Sequence, residues 1–184
     1  DVRTAALNGL FMLSDNKVGL IRTNIDTVSA ELRSRIIRMI PDLPASYRNG
    51  KEILEMKSLS SEDKIQAMSL LAKRKDASIH DVVIEFLQND NPYQRINALK
   101  AIREIVRPSD LNLLLQIASE LENKEKDLAI SAIKAIRGPE TNEDLVNMLE
   151  SAPPEIQLEI IRVVGERNMT EALSQLLKLA KGND

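Results

Sequence analysis

The chain has 184 residues, of which 43% are hydrophobic and only 2% aromatic, and its formal net charge is −3. The lack of cysteine excludes disulfides, thiolate catalysis and cysteine-ligated zinc, and the acidic balance gives no global field that would attract nucleic acid or anionic lipid. No apolar run approaches the roughly 18 residues of a membrane helix, so we expect no membrane insertion. Cytoplasm and periplasm are both compatible with this composition.

A short pattern recurs along the chain. It consists of a small or aliphatic residue, an aliphatic anchor, two free positions and another aliphatic residue. The six copies are Ala6-Leu7 with Leu10, Ile36-Ile37 with Ile40, Ala67-Met68 with Leu71, Ala98-Leu99 with Ile102, Ala132-Ile133 with Ile136, and Ile160-Ile161 with Val164. Successive anchors are 30, 31, 31, 34 and 28 residues apart. This spacing indicates a tandem repeat. Because the first copy begins so early, we interpret the chain as a piece of a longer protein.

Each period contains a first helix, which carries the anchor, and a second helix after a short break. The prolines lie between the predicted helices, where they do no harm. Serine or threonine supplies predicted caps at Ser61, Ser78, Ser109 and Thr141. Residues 41–60 are expected to form the most irregular link. The second helices are predicted at 17–28, 48–58, 79–89, 109–122, 142–150 and 170–181.

A helical hairpin of about 31 residues cannot bury its apolar stripe alone, whereas stacked hairpins share a continuous core. We therefore predict an all-α fold, an α-solenoid of about six stacked two-helix repeats forming one domain over residues 1–184. The repeats are predicted at 1–28, 29–60, 61–90, 91–123, 124–151 and 152–184.

The best copy of the repeat, Asn91-Pro92-Tyr93-Gln94-Arg95-Ile96-Asn97-Ala98-Leu99, resembles HEAT-like repeats, in particular the short kind named after phycobilisome lyases. The resemblance implies a right-handed solenoid whose second helices line the concave, partner-binding side. Ala129 and Gln157 replace the basic residue of the motif, so the last two repeats are degenerate. Tetratricopeptide arrays are the alternative, but the Trp, Leu-Gly and Tyr pattern of that family is absent.

Two series of basic residues follow the repeat. Arg3, Arg33, Lys64 and Arg95 precede the anchors, and we expect each to cover its own hairpin and pair with a loop acid or carbonyl. Arg38, Lys100, Lys134 and Arg162 follow the anchors by one position. A nucleic-acid strip is the alternative interpretation, but stacking aromatics are missing, so an ordinary solvated face is favoured.

The second helices are more acidic, and we predict partner binding there. The candidate residues are Asp81, Glu85, Asp110, Glu143 and Asp144. Helix capping explains about half of these charges without a partner.

No arrangement of residues in the sequence indicates catalysis. His80 is the single histidine, and its neighbour Asp81 completes neither a triad nor a metal site. We expect no enzyme activity, no cofactor and no metal. The favoured function is a scaffold that binds another protein or another domain of the same chain, with possible self-association through apolar end faces. The alternatives are a bilin-lyase-like assembly factor and a HEAT-like nucleic-acid binder or DNA-base enzyme.

Overall fold

The computed structural model describes residues 2–181, apart from the side chain of Pro139. This part of the chain has helices and no strand, which confirms the all-α prediction. Residue 1 and residues 182–184, which belong to the predicted first and last repeats, lie outside it. The α-helices are α1 (Val2–Leu13), α2 (Lys17–Asn24), α3 (Ala30–Arg38), α4 (Lys51–Leu54), α5 (Ser61–Lys73), α6 (His80–Leu87), α7 (Pro92–Ile105), α8 (Leu111–Glu120), α9 (Asn123–Ala135), α10 (Pro139–Ser151), α11 (Pro154–Glu166) and α12 (Leu173–Lys181).

The odd-numbered helices from α1 to α11 carry the predicted anchors, and the even-numbered helices coincide with the predicted second helices. Short 3-10 helices precede three of the second helices, at Ala77–Ile79, Pro108–Asp110 and Thr170–Ala172. The second helix of the predicted second repeat is reduced to the four residues of α4. This agrees with the irregular link expected over residues 41–60.

The chain divides into two compact units, residues 1–89 and residues 90–184. We call them the amino-terminal unit and the carboxy-terminal unit and describe each by itself. The single domain over residues 1–184 stays a prediction.

Helix α5 is central to the amino-terminal unit. It packs against α3, α4 and the 3-10 helices Ile40–Asp42 and Ala77–Ile79. The buried anchors Ile37 and Met68 contribute to this core. The buried carboxylate of Asp76 joins two second helices, because it accepts hydrogen bonds from the Gly50 amide before α4 (2.9 Å) and from the Ser78 amide before α6 (3.1 Å). A Cβ at residue 50 would lie 2.6 Å from Cδ2 of Leu71 and 2.8 Å from Oδ2 of Asp76. Glycine at this position therefore lets the backbone lie against both side chains.

Neighbouring first helices lie side by side in the carboxy-terminal unit. Helix α7 packs against α9 and α9 against α11, while α8 covers α9 and α11, and α10 packs against α11 and α12. The small residues Ala98 and Ala132, each directly before an anchor, are fully buried. Their size lets the helices approach closely without cavities.

The anchor predicted for the last repeat is wrong by one residue. Ile161 is 37% exposed, whereas Ile160 is fully buried together with Val163 and Val164. Ile156, Ile160, Val163 and Val164 form one stripe at helical spacing. This stripe is longer than the stripe that contains Leu158 and Ile161, and it therefore faces the core.

Several predicted caps are also displaced. Ser60, rather than Ser61, caps α5, because its hydroxyl accepts from the Asp63 amide (3.1 Å) while the Asp63 carboxylate accepts from the Ser60 amide (3.3 Å). Thr141 lies inside α10 and is fully buried. Asn91 caps α7, because its side chain accepts a hydrogen bond from the Tyr93 amide at 2.9 Å.

Candidate binding surface

In the amino-terminal unit, the predicted partner-binding residues Asp81 and Glu85 lie one turn apart on α6, and both are exposed. Oδ2 of Asp81 lies 3.8 Å from Nζ of Lys51 on α4. The side chain of Asp81 is nevertheless 72% exposed, so this contact contributes little to stability. Glu85 makes no hydrogen bond or ion pair with any described residue. Both carboxylates are therefore accessible to a partner.

In the carboxy-terminal unit, Asp110 is not a surface residue, contrary to its prediction as a partner contact. It is only 5% exposed, and its Oδ2 accepts a hydrogen bond from the backbone amide of Arg107 at 2.8 Å. This bond closes the 3-10 helix that leads into α8. The carboxylate therefore stabilises the start of a helix, as capping acids do.

Glu143 and Asp144 lie on α10 and are exposed, and neither makes a hydrogen bond or ion pair within the described chain. Asp144 borders a cleft of about 500 Å³ between the start of α8 and α10. We call it the α8–α10 cleft. Half of its eight lining side chains are polar but uncharged; the residues are Pro108, Ser109, Leu111, Asn112, Asp144, Asn147, Met148 and Ser151. Of the predicted acids, the structure thus places Asp144 in a concave site.

Of the four basic residues before the anchors, Arg33 and Arg95 have the structural role that the sequence favours, whereas the side chains of Arg3 and Lys64 make no hydrogen bond or ion pair with a described residue. Arg33 donates from Nε to the Ile25 carbonyl (3.0 Å) and from Nη1 to the Ser58 carbonyl (2.7 Å). Arg95 donates from Nε to Oε1 of Glu125 (2.7 Å) and from Nη1 to the Asp90 carbonyl (2.8 Å). These guanidinium groups close loops and join residues of successive predicted repeats.

The charges of the basic residues that follow the anchors by one position are partly neutralised. Lys134 pairs with Glu166, and Nη1 of Arg162 lies 3.7 Å from Oε2 of Glu159. Arg38 donates to the carbonyl and hydroxyl oxygens of Ser34. These contacts favour a solvated, internally paired face over a strip that collects phosphates.

Two further arginines were missed by the sequence analysis. Arg74 and Arg167 each stand directly after a first helix, at the same position of their repeats. Arg74 donates to the carbonyls of Pro41 (2.9 Å), Leu43 (3.0 Å) and Pro44 (2.8 Å). Arg167 donates to those of Ile133 and Ile136. Aligning the repeats beyond their apolar positions would have revealed this pair.

His80 is buried at the start of α6, with its Nδ1 lying 3.6 Å from Oδ1 of Asp81. Among residues 2–181, no cluster of three or more histidine, aspartate or glutamate side chains is arranged to hold a metal ion. Over the same residues, no helix combines the length and apolar character needed to cross a membrane.

A scan against models of known protein families found no match to this chain, and a search of the curated proteins found none either. The resemblance to HEAT-like repeats rests on the residues of the chain itself.

Proposed function

We propose that this chain is a HEAT-like repeat scaffold without catalytic activity, which binds another protein, or another domain of the same chain, through the surface of its second helices. In this proposal the repeats stack as a right-handed α-solenoid. The second helices then line the concave side.

The bonds between successive repeats support the repeat architecture. In each unit, polar groups join first helix to first helix and second helix to second helix at separations close to the sequence period. Examples are Arg95 with Glu125, Lys134 with Glu166, and Lys178 with Glu150, which are 30, 32 and 28 residues apart. Such nearest-neighbour contacts are what a tandem array requires, because each repeat is stabilised mainly by its neighbours.

The α8–α10 cleft is the observation that carries the binding proposal. It lies between two successive second helices, and its hydroxyl and carboxamide groups can bond the backbone of an extended segment. Asp144, with Glu143 beside it, supplies negative charge that no described residue neutralises. A flexible segment with lysine or arginine side chains therefore fits this cleft by charge and by hydrogen bonding.

A displayed library of random peptides, selected on the immobilised chain, tests this proposal. We expect enrichment of peptides that contain basic residues. The Asp144→Lys variant should weaken their binding by about tenfold or more, because it replaces an attractive charge by a repulsive one. Fluorescence anisotropy of the selected peptides measures the change.

The matched control is Asp127→Lys, which makes the same charge change at an exposed position of α9, a first helix of the predicted repeats. Its affinity for the selected peptides should stay within about twofold of the unchanged chain. The proposal fails if no peptide is enriched, or if the two variants weaken binding equally.

A further inference from the structure

A second pocket of the carboxy-terminal unit contains two arginine side chains. It has a volume of about 380 Å³ and is lined by Ile136, Arg137, Gly138, Asn142 and Arg167. We call it the arginine pocket. It shares no residue with the α8–α10 cleft, and no carboxylate is among its lining residues.

The guanidinium group of Arg167 is held in a fixed position. Its Nη1 donates to Oδ1 of Asn142 (2.9 Å), and its Nη2 donates to the carbonyls of Ile136 (3.2 Å) and Ile133. These bonds leave the Nε–H of Arg167 without an acceptor in the described chain. A fixed guanidinium loses little entropy when it binds a ligand, since its orientation is already set.

The positive charge in the arginine pocket is not compensated by an ion pair. Arg137 is exposed and makes no hydrogen bond or ion pair with any described residue, and Arg167 pairs with no described carboxylate. Burial, and secondly the positive charge of Arg137, lower the pKa of the Arg167 guanidinium. The two cations therefore repel each other. A bound anion would relieve this repulsion.

The start of α10 adds to the same potential. Gly138 precedes the helix with φ +127°, and no side chain caps the first turn. A Cβ at Gly138 would meet no atom within 4 Å, so the backbone is approachable there. The unpaired amides of a first helical turn favour a negative ligand.

Acidic groups near the arginine pocket limit its affinity. Oε1 of Glu171 accepts a hydrogen bond from Nδ2 of Asn142 at 3.4 Å, and Glu140 is exposed on the first turn of α10. Glu171 thus lies close to the carboxamide whose oxygen holds Arg167. Removing its charge should strengthen the binding of an anion.

We propose that the arginine pocket binds a phosphate group, through the guanidinium groups of Arg137 and Arg167. Arginine suits this ligand because its planar donor pairs match the oxygens of phosphate. The group belongs either to free phosphate or to a phosphorylated side chain, which share the same chemistry at the pocket. This inference does not depend on the proposed partner binding at the α8–α10 cleft.

Isothermal titration calorimetry at low ionic strength tests the proposal with two probes, inorganic phosphate and a blocked phosphoserine. Unphosphorylated blocked serine is the blank. Arg137→Gln should weaken binding by about tenfold or more, since it removes a charged donor. Arg137 makes no structural bond in the described chain, so its variant should fold. Glu171→Gln should bind the same probe more tightly than the unchanged chain.

The matched control is Arg103→Gln, at an exposed position of α7, which should leave the affinity unchanged. Binding of blocked phosphoserine alone identifies a phosphorylated side chain as the source, and binding of phosphate alone identifies the free anion. The proposal is overturned if neither probe binds the unchanged chain more tightly than Arg137→Gln, or if Arg103→Gln weakens binding as much.

Discussion

At the scale of single residues, the charged side chains act mainly within the fold. Arg33, Arg74 and Arg95 donate to backbone carbonyls or to acids of adjacent repeats. Asp76 and Asp110 are buried and accept backbone amides at helix starts. Because buried charges are costly unless they are bonded, we expect these residues to stabilise the fold. The exposed acids Glu85, Glu143 and Asp144 make no such bonds within the described chain.

Tyr47 gives a prediction about pH. Burial, together with the nearby carboxylates of Glu52 and Asp76, raises the pKa of Tyr47 to about 12. The folded chain therefore holds this proton more tightly than the unfolded chain, whose tyrosines ionise near about 10. The resulting stabilisation is present below pH about 10 and is lost as the pH rises towards 12. Ultraviolet titration of Tyr93→Phe, in which Tyr47 is the remaining tyrosine, should have its midpoint near 12.

Tyr47→Phe, which retains Tyr93, is the control for this titration. Circular dichroism at each pH shows whether the helices are intact. A midpoint near about 10 in the folded Tyr93→Phe chain would show that Tyr47 is solvated and would contradict the structure.

At the scale of elements, ion pairs join first helices that lie about one sequence period apart. The contact between α9 and α11 is the clearest case, because Lys126 pairs with the buried carboxylate of Glu159. Lys126→Met would leave Glu159 buried, with only Arg162 at 3.7 Å as a cationic neighbour. We expect the free energy of unfolding to fall by about 3 kcal/mol, as when one partner of a buried ion pair is removed.

Urea denaturation measures this loss. Lys126→Met/Glu159→Met removes both charges and should recover to within about 1 kcal/mol of the unchanged chain. Lys124→Met, at an exposed position of the same helix, should change stability by no more than about 0.5 kcal/mol. Equal effects of Lys126→Met and Lys124→Met would show that the α9–α11 pair is not formed.

The helices themselves could be predicted because their apolar residues recur at helical spacing and prolines separate them. The anchor in α11 could not, since Ile160-Ile161 offers two stripes and only packing selects one. Ser60 and Ser61 are both suitable cap residues, and only the backbone geometry decides which of them caps the helix. Asp110 is buried at the end of a 3-10 helix over Pro108–Asp110, where the sequence predicts the start of an α-helix at residue 109. Arg74 and Arg167 were missed because they lie outside the apolar pattern by which the repeats were recognised, directly after the first helices α5 and α11.

At the scale of the whole molecule, each of the two units contains polar contacts between residues about one sequence period apart, such as Arg22 with Glu52 and Arg95 with Glu125. Helices at the two ends of the described chain expose apolar side chains, including Met12 and Leu13 on α1 and Leu173 and Leu177 on α12. Exposed faces of this kind favour association. Self-association through them stays a prediction.

Methyl NOE spectroscopy on chain labelled at isoleucine, leucine and valine tests the repeat architecture most directly. We expect strong NOEs between the methyl groups of α7 and α9, between those of α9 and α11, and between those of α10 and α12. Strong NOEs between α7 and α11, with none from α7 to α9, would contradict a stack of neighbouring two-helix repeats.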